Sequence, residues 1–216
     1  YLQGRRWFGG KARTMQAVEI TEVIPLPQED PLAVLALIHV EYTEGEPETY
    51  LLPLRYIPAD RLAHLVDSPA AIARVKVKVK EGEQEGLLID AMWDQEFQKL
   101  LLDSISRNRR FNGPAGDLIT HALKTFRRQL LQDLPTLEPA LLKGEQSNSS
   151  VLFGHRFILK LYRRAEVGIN PDFEIGRFLT QKGFPHIAPL AGAVEYHLVR
   201  GTDPLGQSGR ACRDQD

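Results

Sequence analysis

Apolar positions from Ala17 to about Leu54 fall in runs that read as strands, with Val18, Ile20, Val23 and Ile24, then Leu32 to Tyr42, then Thr49 to Leu54 forming the runs. Pro25-Leu26-Pro27 and Gly45-Glu46-Pro47 break the runs, which predicts an antiparallel meander. Good helix formers over Ala59 to Ala63 predict a short helix across Pro58 to Val66, ended by Asp67-Ser68-Pro69. Ile72 to Lys80 then alternates strictly, putting Val75, Val77 and Val79 on one sheet face and Lys76, Lys78 and Lys80 on the other. A turn over Glu81 to Gly86 returns the chain through Leu87 to Ala91.

From about Trp93 the period becomes helical, with Phe97, Leu100, Leu101 and Ile105 in one segment and Leu118, Leu123, Phe126, Leu130 and Leu131 in the next. Asn112 to Gly116 reads as the loop between them. After Pro135 strands resume over Ala140 to Lys143, Ser150 to Phe153 and Arg156 to Tyr162, with Gly154-His155 as a tight hairpin connection. Asn170-Pro171-Asp172 is a helix start, and the helix runs to about Lys182. The order of strands, helices, strands and helix, with no internal repeat, predicts an α+β protein in two layers or subdomains. Residues 201–216 lose apolar periodicity and are expected to be disordered.

Composition narrows the function classes. The chain has 216 residues, 27 Lys and Arg against 28 Asp and Glu, and a net charge of -1. That balance argues against a nucleic-acid or anionic-membrane partner. The single cysteine, Cys212, excludes an internal disulfide, disfavours a cysteine metal site and fits a cytoplasmic location. No apolar run approaches the roughly 20 residues of a membrane span. The chain begins at Tyr1 without methionine, as a piece cut from a longer protein would.

The most informative segment is Gly144-Glu145-Gln146-Ser147-Asn148-Ser149-Ser150, between two strands. Small polar residues there can turn amides and hydroxyls toward nucleotide phosphates, although a Ser/Asn stretch is more often only a hairpin. Lys160 interrupts an otherwise apolar strand, Phe157 to Leu161, and if buried it requires an acid; Glu174 on the following helix is the candidate. In protein-kinase-like folds a strand lysine held by a helix glutamate contacts the α- and β-phosphates. The same lysine at a sheet edge simply faces solvent.

Glu145 to Val151, Phe157 to Leu161 and Asn170 to Leu179 resemble the nucleotide loop, lysine strand and following helix of maltokinases. Arg6-Trp7-Phe8-Gly9-Gly10-Lys11-Ala12-Arg13 resembles the start of that family's amino-terminal cap. The resemblance implies an antiparallel-sheet cap at 1–90, a protein-kinase-like small lobe with helices at 91–200, and a tail at 201–216, with the kinase large lobe absent. It implies ATP held by Gln146, Ser147, Asn148, Ser149, Ser150, Lys160 and Glu174, with magnesium ligands in the missing lobe. The implied reaction is transfer of the ATP γ-phosphoryl group to maltose, giving maltose 1-phosphate, in trehalose and glycogen metabolism, with trehalose synthase as a fused or separate partner.

No His-x-Asp loop and no metal-binding aspartate follow Glu174, so no residue is assigned a catalytic or metal role, and the chain alone is expected to be inactive. Two other readings remain open: a non-catalytic domain that docks trehalose synthase, and a kinase of another acceptor such as an aminoglycoside, choline or an amino sugar. Trp7 and Phe8 read as packing residues, the Val/Lys alternation as a solvated sheet face, and His121 and His186 carry no assigned role.

Overall fold

The computed structural model describes residues 1–26, 33–61, 68–79, 82–142 and 147–198. Its strands are β1 (Met15–Pro25), β2 (Ala33–Tyr42), β3 (Glu48–Pro58), β4 (Ala71–Val79), β5 (Gly82–Asp90), β6 (Arg110–Asn112), β7 (Gly116–Ala122), β8 (Pro139–Leu141), β9 (Asn148–Phe153), β10 (Phe157–Tyr162), β11 (Arg164–Ala165) and β12 (Gly192–Leu198). Helix α1 (Gln95–Arg107) and α2 (Lys124–Asp133) precede β8, and α3 (Pro171–Gln181) precedes β12. The protein is a mixed α+β fold whose strand pairs among the described residues are antiparallel.

The largest sheet runs β1-β2-β3-β5-β4, with β11 added on β3. β2 reads as one apolar run because both of its faces are buried. Ala36, Ile38, Val40 and Tyr42 pack with Phe8, Tyr50, Leu52 and Leu54 on one face. Ala33 and Leu35 join a second core with Ile24, Phe97, Leu101, Ile105, Leu118, Leu130, Val151 and Phe153. That second core draws on both sides of residue 90. In the β4-β5 hairpin Lys76 meets Glu85 at 3.0 Å, so the lysine face is a solvated surface whose charge is partly offset.

Helix α1 keeps the predicted apolar period, and the structure adds its two end caps. Asp94 caps it by accepting from the Glu96 amide at 2.8 Å, and Asn108 closes it in the left-handed region at φ 53°. Phe97, Leu101 and Ile105, four residues apart, face the core.

The second predicted helix begins later than its apolar pattern suggests. Leu118 lies in strand β7, between β6 and β12, and α2 starts only at Lys124. The inward position after Leu118 is a threonine, which disguises the two-residue period. Thr120 is buried because its hydroxyl donates to the Ser104 carbonyl at 2.6 Å and is also 2.9 Å from the Arg109 carbonyl. The predicted loop over Asn112 to Gly116 becomes the β6-β7 hairpin turn. The predicted helix at Pro58 to Val66 is a short 3-10 turn, Ala59–Arg61, with residues 62–67 outside the described set. The expected tail at 201–216 also lies outside it.

Candidate functional site

Strands β9 and β10 form the hairpin that carries the candidate loop and lysine. Their register sets Lys160 opposite Ser150, Leu161 opposite Ser149 and Tyr162 opposite Asn148. Gly154 turns the hairpin at φ 55°, a conformation that favours glycine. Val151 and Phe153 point into the core, while Leu152 and Ile158 share the outer face with Lys160.

The candidate set divides. Ser147 is exposed and Asn148 half-buried, whereas Ser149 and Ser150 are buried. Ser149 Oγ accepts from Arg163 Nε at 2.8 Å, and Ser150 Oγ has no hydrogen-bond partner among the described residues. Gln146 lies outside the described residues. Asn148 and Ser147 therefore stand where a ligand has access, and the two serines behind them frame the strand.

Lys160 and Glu174 are both exposed, and no ion pair joins them. The lysine occupies the open face of the hairpin, keeps its hydration and incurs no burial cost that an acid would have to offset. The strand-to-helix contact runs instead from the Tyr162 hydroxyl to Asp172 Oδ2 at 2.7 Å. Helix α3 begins as predicted: Asn170 Oδ1 accepts from the amides of Asp172 and Phe173 at 2.9 and 3.3 Å, with Pro171 in the first turn.

Three buried acids that the sequence pattern did not single out tie residues 1–94 to the later strands. Glu22 Oε2 accepts from the Ala115 amide at 2.7 Å and the Tyr196 hydroxyl at 2.8 Å. Glu48 receives the hydroxyls of Tyr42 and Tyr50 at 2.7 and 2.5 Å, and pairs with Arg13 at 2.6 Å and Arg164 at 3.1 Å. Burial alone would raise the Glu48 carboxyl, but hydrogen bonds from Tyr50 and Tyr42 and the charges of Arg164 and Arg13 outweigh it and hold it below 4.5. Asp90 meets Arg163 at 2.8 Å with both side chains fully enclosed. The one visible hint was an acid closing an apolar strand, as in Leu87-Leu88-Ile89-Asp90.

Trp7 and Phe8 are packing residues: Phe8 is buried 5.1 Å from the Tyr50 ring, and Trp7 lies under the Arg163 guanidinium at 4.7 Å. His121 contacts Glu195 at 3.6 Å and the Phe173 ring at 5.7 Å. Among the described residues no helix is long and apolar enough to cross a membrane.

Residues 1–94 match the family model described as the maltokinase N-terminal cap domain. The match covers β1 to β5 and ends at Asp94, the cap of α1. Over these residues, an antiparallel sheet and its lead-in, the chain is similar to the maltokinase N-terminal cap domain.

Proposed function

We propose that this chain is the amino-terminal part of an ATP-dependent maltokinase, in which the cap frames a nucleotide-binding hairpin. The observation that carries the reading is the cap match at 1–94, joined through the buried Asp90–Arg163 pair and the partly exposed Glu48–Arg164 pair to the segment that directly follows the β9-β10 hairpin, which carries Lys160 on its open face. Lys160, the exposed Ser147 and the half-buried Asn148 supply a cation and polar groups suited to nucleotide phosphates. Transfer of the ATP γ-phosphoryl group to maltose, giving maltose 1-phosphate and ADP, requires an acid to take the hydroxyl proton and acids to hold magnesium. The described residues contain no cluster of three or more such groups able to hold a metal, so no step is assigned to one.

Titration of the chain with Mg·ATP tests this. The expected result is weak binding that Lys160→Met reduces about ten-fold or more, the size of a lost charge-assisted contact. Equal binding by both proteins, or binding by neither, overturns the nucleotide reading. Maltose-dependent ADP release is expected to be absent from this chain alone; release abolished by Lys160→Met would contradict that.

A second reading is favoured by helix α3, which has no buried residue. Ile175 and Phe178 are each 57% exposed, beside the exposed Val167, Ile169 and Phe184. An apolar surface of this kind suits a protein partner. In the kinase reading it seats the catalytic lobe, and in the interaction-domain reading it docks a trehalose synthase. Co-elution with trehalose synthase on size-exclusion chromatography, lost on Phe178→Asp, favours docking; an unchanged elution volume counts against it. The acceptor sugar belongs to the catalytic lobe, so aminoglycoside and amino-sugar kinases remain comparison enzymes for activity assays.

A further inference from the structure

Ser149 belongs to the candidate loop, yet its hydroxyl is held from the side of the cap. Arg163 Nε donates to it at 2.8 Å, and Arg163 Nη2 donates to Asp90 Oδ2 at 2.8 Å. Asp90 is fixed in turn: its Oδ1 accepts from the Met92 amide at 3.0 Å, and its Oδ2 accepts from the Tyr1 hydroxyl at 2.9 Å. The guanidinium lies over the Trp7 ring, and the Arg163 carbonyl accepts from the Leu51 amide of β3 at 2.7 Å. Arg164 and Ala165 then continue as β11, opposite Tyr50 and Thr49.

One arginine beyond the cap is therefore held by three parts of the cap, Trp7, the middle of β3 and the end of β5, while Tyr1 fixes the Asp90 carboxylate it pairs with. An arginine fork is planar and rigid, so fixing one edge on a carboxylate sets where the remaining N–H groups point. The charge cannot leave its acid without a large cost at full burial. Ser149 is thus held twice, by the β9-β10 pairing with Leu161 and, at its hydroxyl, by an arginine that the cap fixes.

We propose that Arg163 is a positioning residue through which the cap holds the start of β9, and with it Ser147 and Asn148, in place. Asp90 orients the guanidinium and the guanidinium orients Ser149, so the hold of Ser147 and Asn148 on a nucleotide depends on a domain that does not itself touch it. The nucleotide part of this statement rests on the function proposed above; the mechanical part does not.

The test is amide hydrogen exchange on the full chain without nucleotide, read over residues 148–151 and, as a control, over β1 and β2. The paired change Asp90→Asn with Arg163→Met removes both charges together, and a neutral pair of similar volume is tolerated in many buried sites. Exchange over 148–151 is expected to rise about ten-fold or more, as for loss of a hydrogen bond to a charged group, with the control strands unchanged. Ser149→Ala is expected to give the same rise alone and to add nothing to the paired variant. Arg163→Lys, which keeps the charge without the fork, is not expected to restore protection.

Unchanged exchange over 148–151 in folded Ser149→Ala overturns the proposal, whatever the paired variant does. A rise shared equally by the control strands also overturns it, because it reports general loosening. Mg·ATP affinity measured on the same proteins separates the two claims. Protection lost in the variants while the wild-type chain binds no ATP sinks the nucleotide reading and leaves the coupling in place. ATP bound equally by wild type and a paired variant that has lost protection removes the dependence of binding on the cap.

Discussion

Tyr196 and Glu22 stand 174 positions apart in the chain and 2.8 Å apart in the structure, the tyrosine hydroxyl donating to the Glu22 carboxylate. Burial first, and then the carboxylate it faces, push the Tyr196 hydroxyl well above its ordinary value. Glu22, Glu48 and Asp90 do the same kind of work at three places on the cap sheet. Each is buried, and each draws a donor from beyond residue 94. A buried carboxylate is tolerated only when paired or well hydrogen-bonded, so the cap strands and the later strands stabilise one another's polar groups.

Tyr196→Phe removes one donor from Glu22 and leaves the Ala115 amide in place. A loss of about 1–3 kcal/mol is expected in urea unfolding. Glu22→Ala, which also strands the Ala115 amide, is expected to cost more. Equal stability of wild type and Tyr196→Phe would show that the contact carries no weight in solution.

The Glu48 cluster makes stability depend on acid. Its folded carboxyl ionises below 4.5 while the unfolded one titrates near 4.5, so its contribution is fully present above that pH. It is lost as pH falls through the folded value. Urea midpoints measured from neutral pH down to about pH 3 should fall more steeply for wild type than for Glu48→Gln, and parallel curves would contradict the assignment.

At the alkaline end the tyrosines act in the opposite sense. Burial raises the hydroxyls of Tyr1, Tyr42, Tyr50 and Tyr196 above their ordinary 10.0. Their contribution is present below pH 10.0, where unfolded tyrosine begins to ionise, and is lost as pH rises toward the folded values. Phenolate absorbance should therefore lag in the folded chain and appear together with unfolding; ionisation of all tyrosines near pH 10 in the folded state would refute it.

Gly116 opens β7 against β12. A Cβ there would meet the His197 carbonyl oxygen at 2.5 Å and the Tyr196 hydroxyl oxygen at 2.6 Å. Gly116→Ala is expected to cost about 1–3 kcal/mol through overpacking. Because one of the crowded atoms, the Tyr196 hydroxyl oxygen, makes the contact to Glu22, its cost and that of Tyr196→Phe should be non-additive in a double-mutant cycle. Simple additivity would place the strain elsewhere.

Lys160 and Phe97 provide a contrast between surface and core. Lys160→Met should change stability by no more than about 0.5 kcal/mol, since the side chain is exposed. Phe97→Ala, at a fully buried ring, should cost about 3–5 kcal/mol. A large loss from Lys160→Met would mean that the lysine is held in the folded state after all.

Elements whose own residues repeat a pattern were legible in the sequence. The β1-β2-β3 meander, the apolar period of α1, the β9-β10 hairpin turned at Gly154 and the Asn170-Pro171 start of α3 all follow from spacing and local chemistry. Hairpin register alone brings Lys160 beside the serine loop. Strand β7 was hidden because a threonine stands in an inward position, and a satisfied polar side chain breaks the apolar period without breaking the strand.

The partners of charged groups were decided only in three dimensions. Periodicity shows that Lys160 interrupts an apolar strand, but not which face it takes, and the face determines whether it requires an acid. Arg163 reads as one of two basic residues at a strand end, yet it is buried against Trp7, Asp90 and Ser149. Local sequence determines secondary structure because its hydrogen bonds and its apolar period are local. The pairing of buried charges is chosen by tertiary packing, because desolvation acts on whichever groups the fold encloses together, however far apart they lie in the chain.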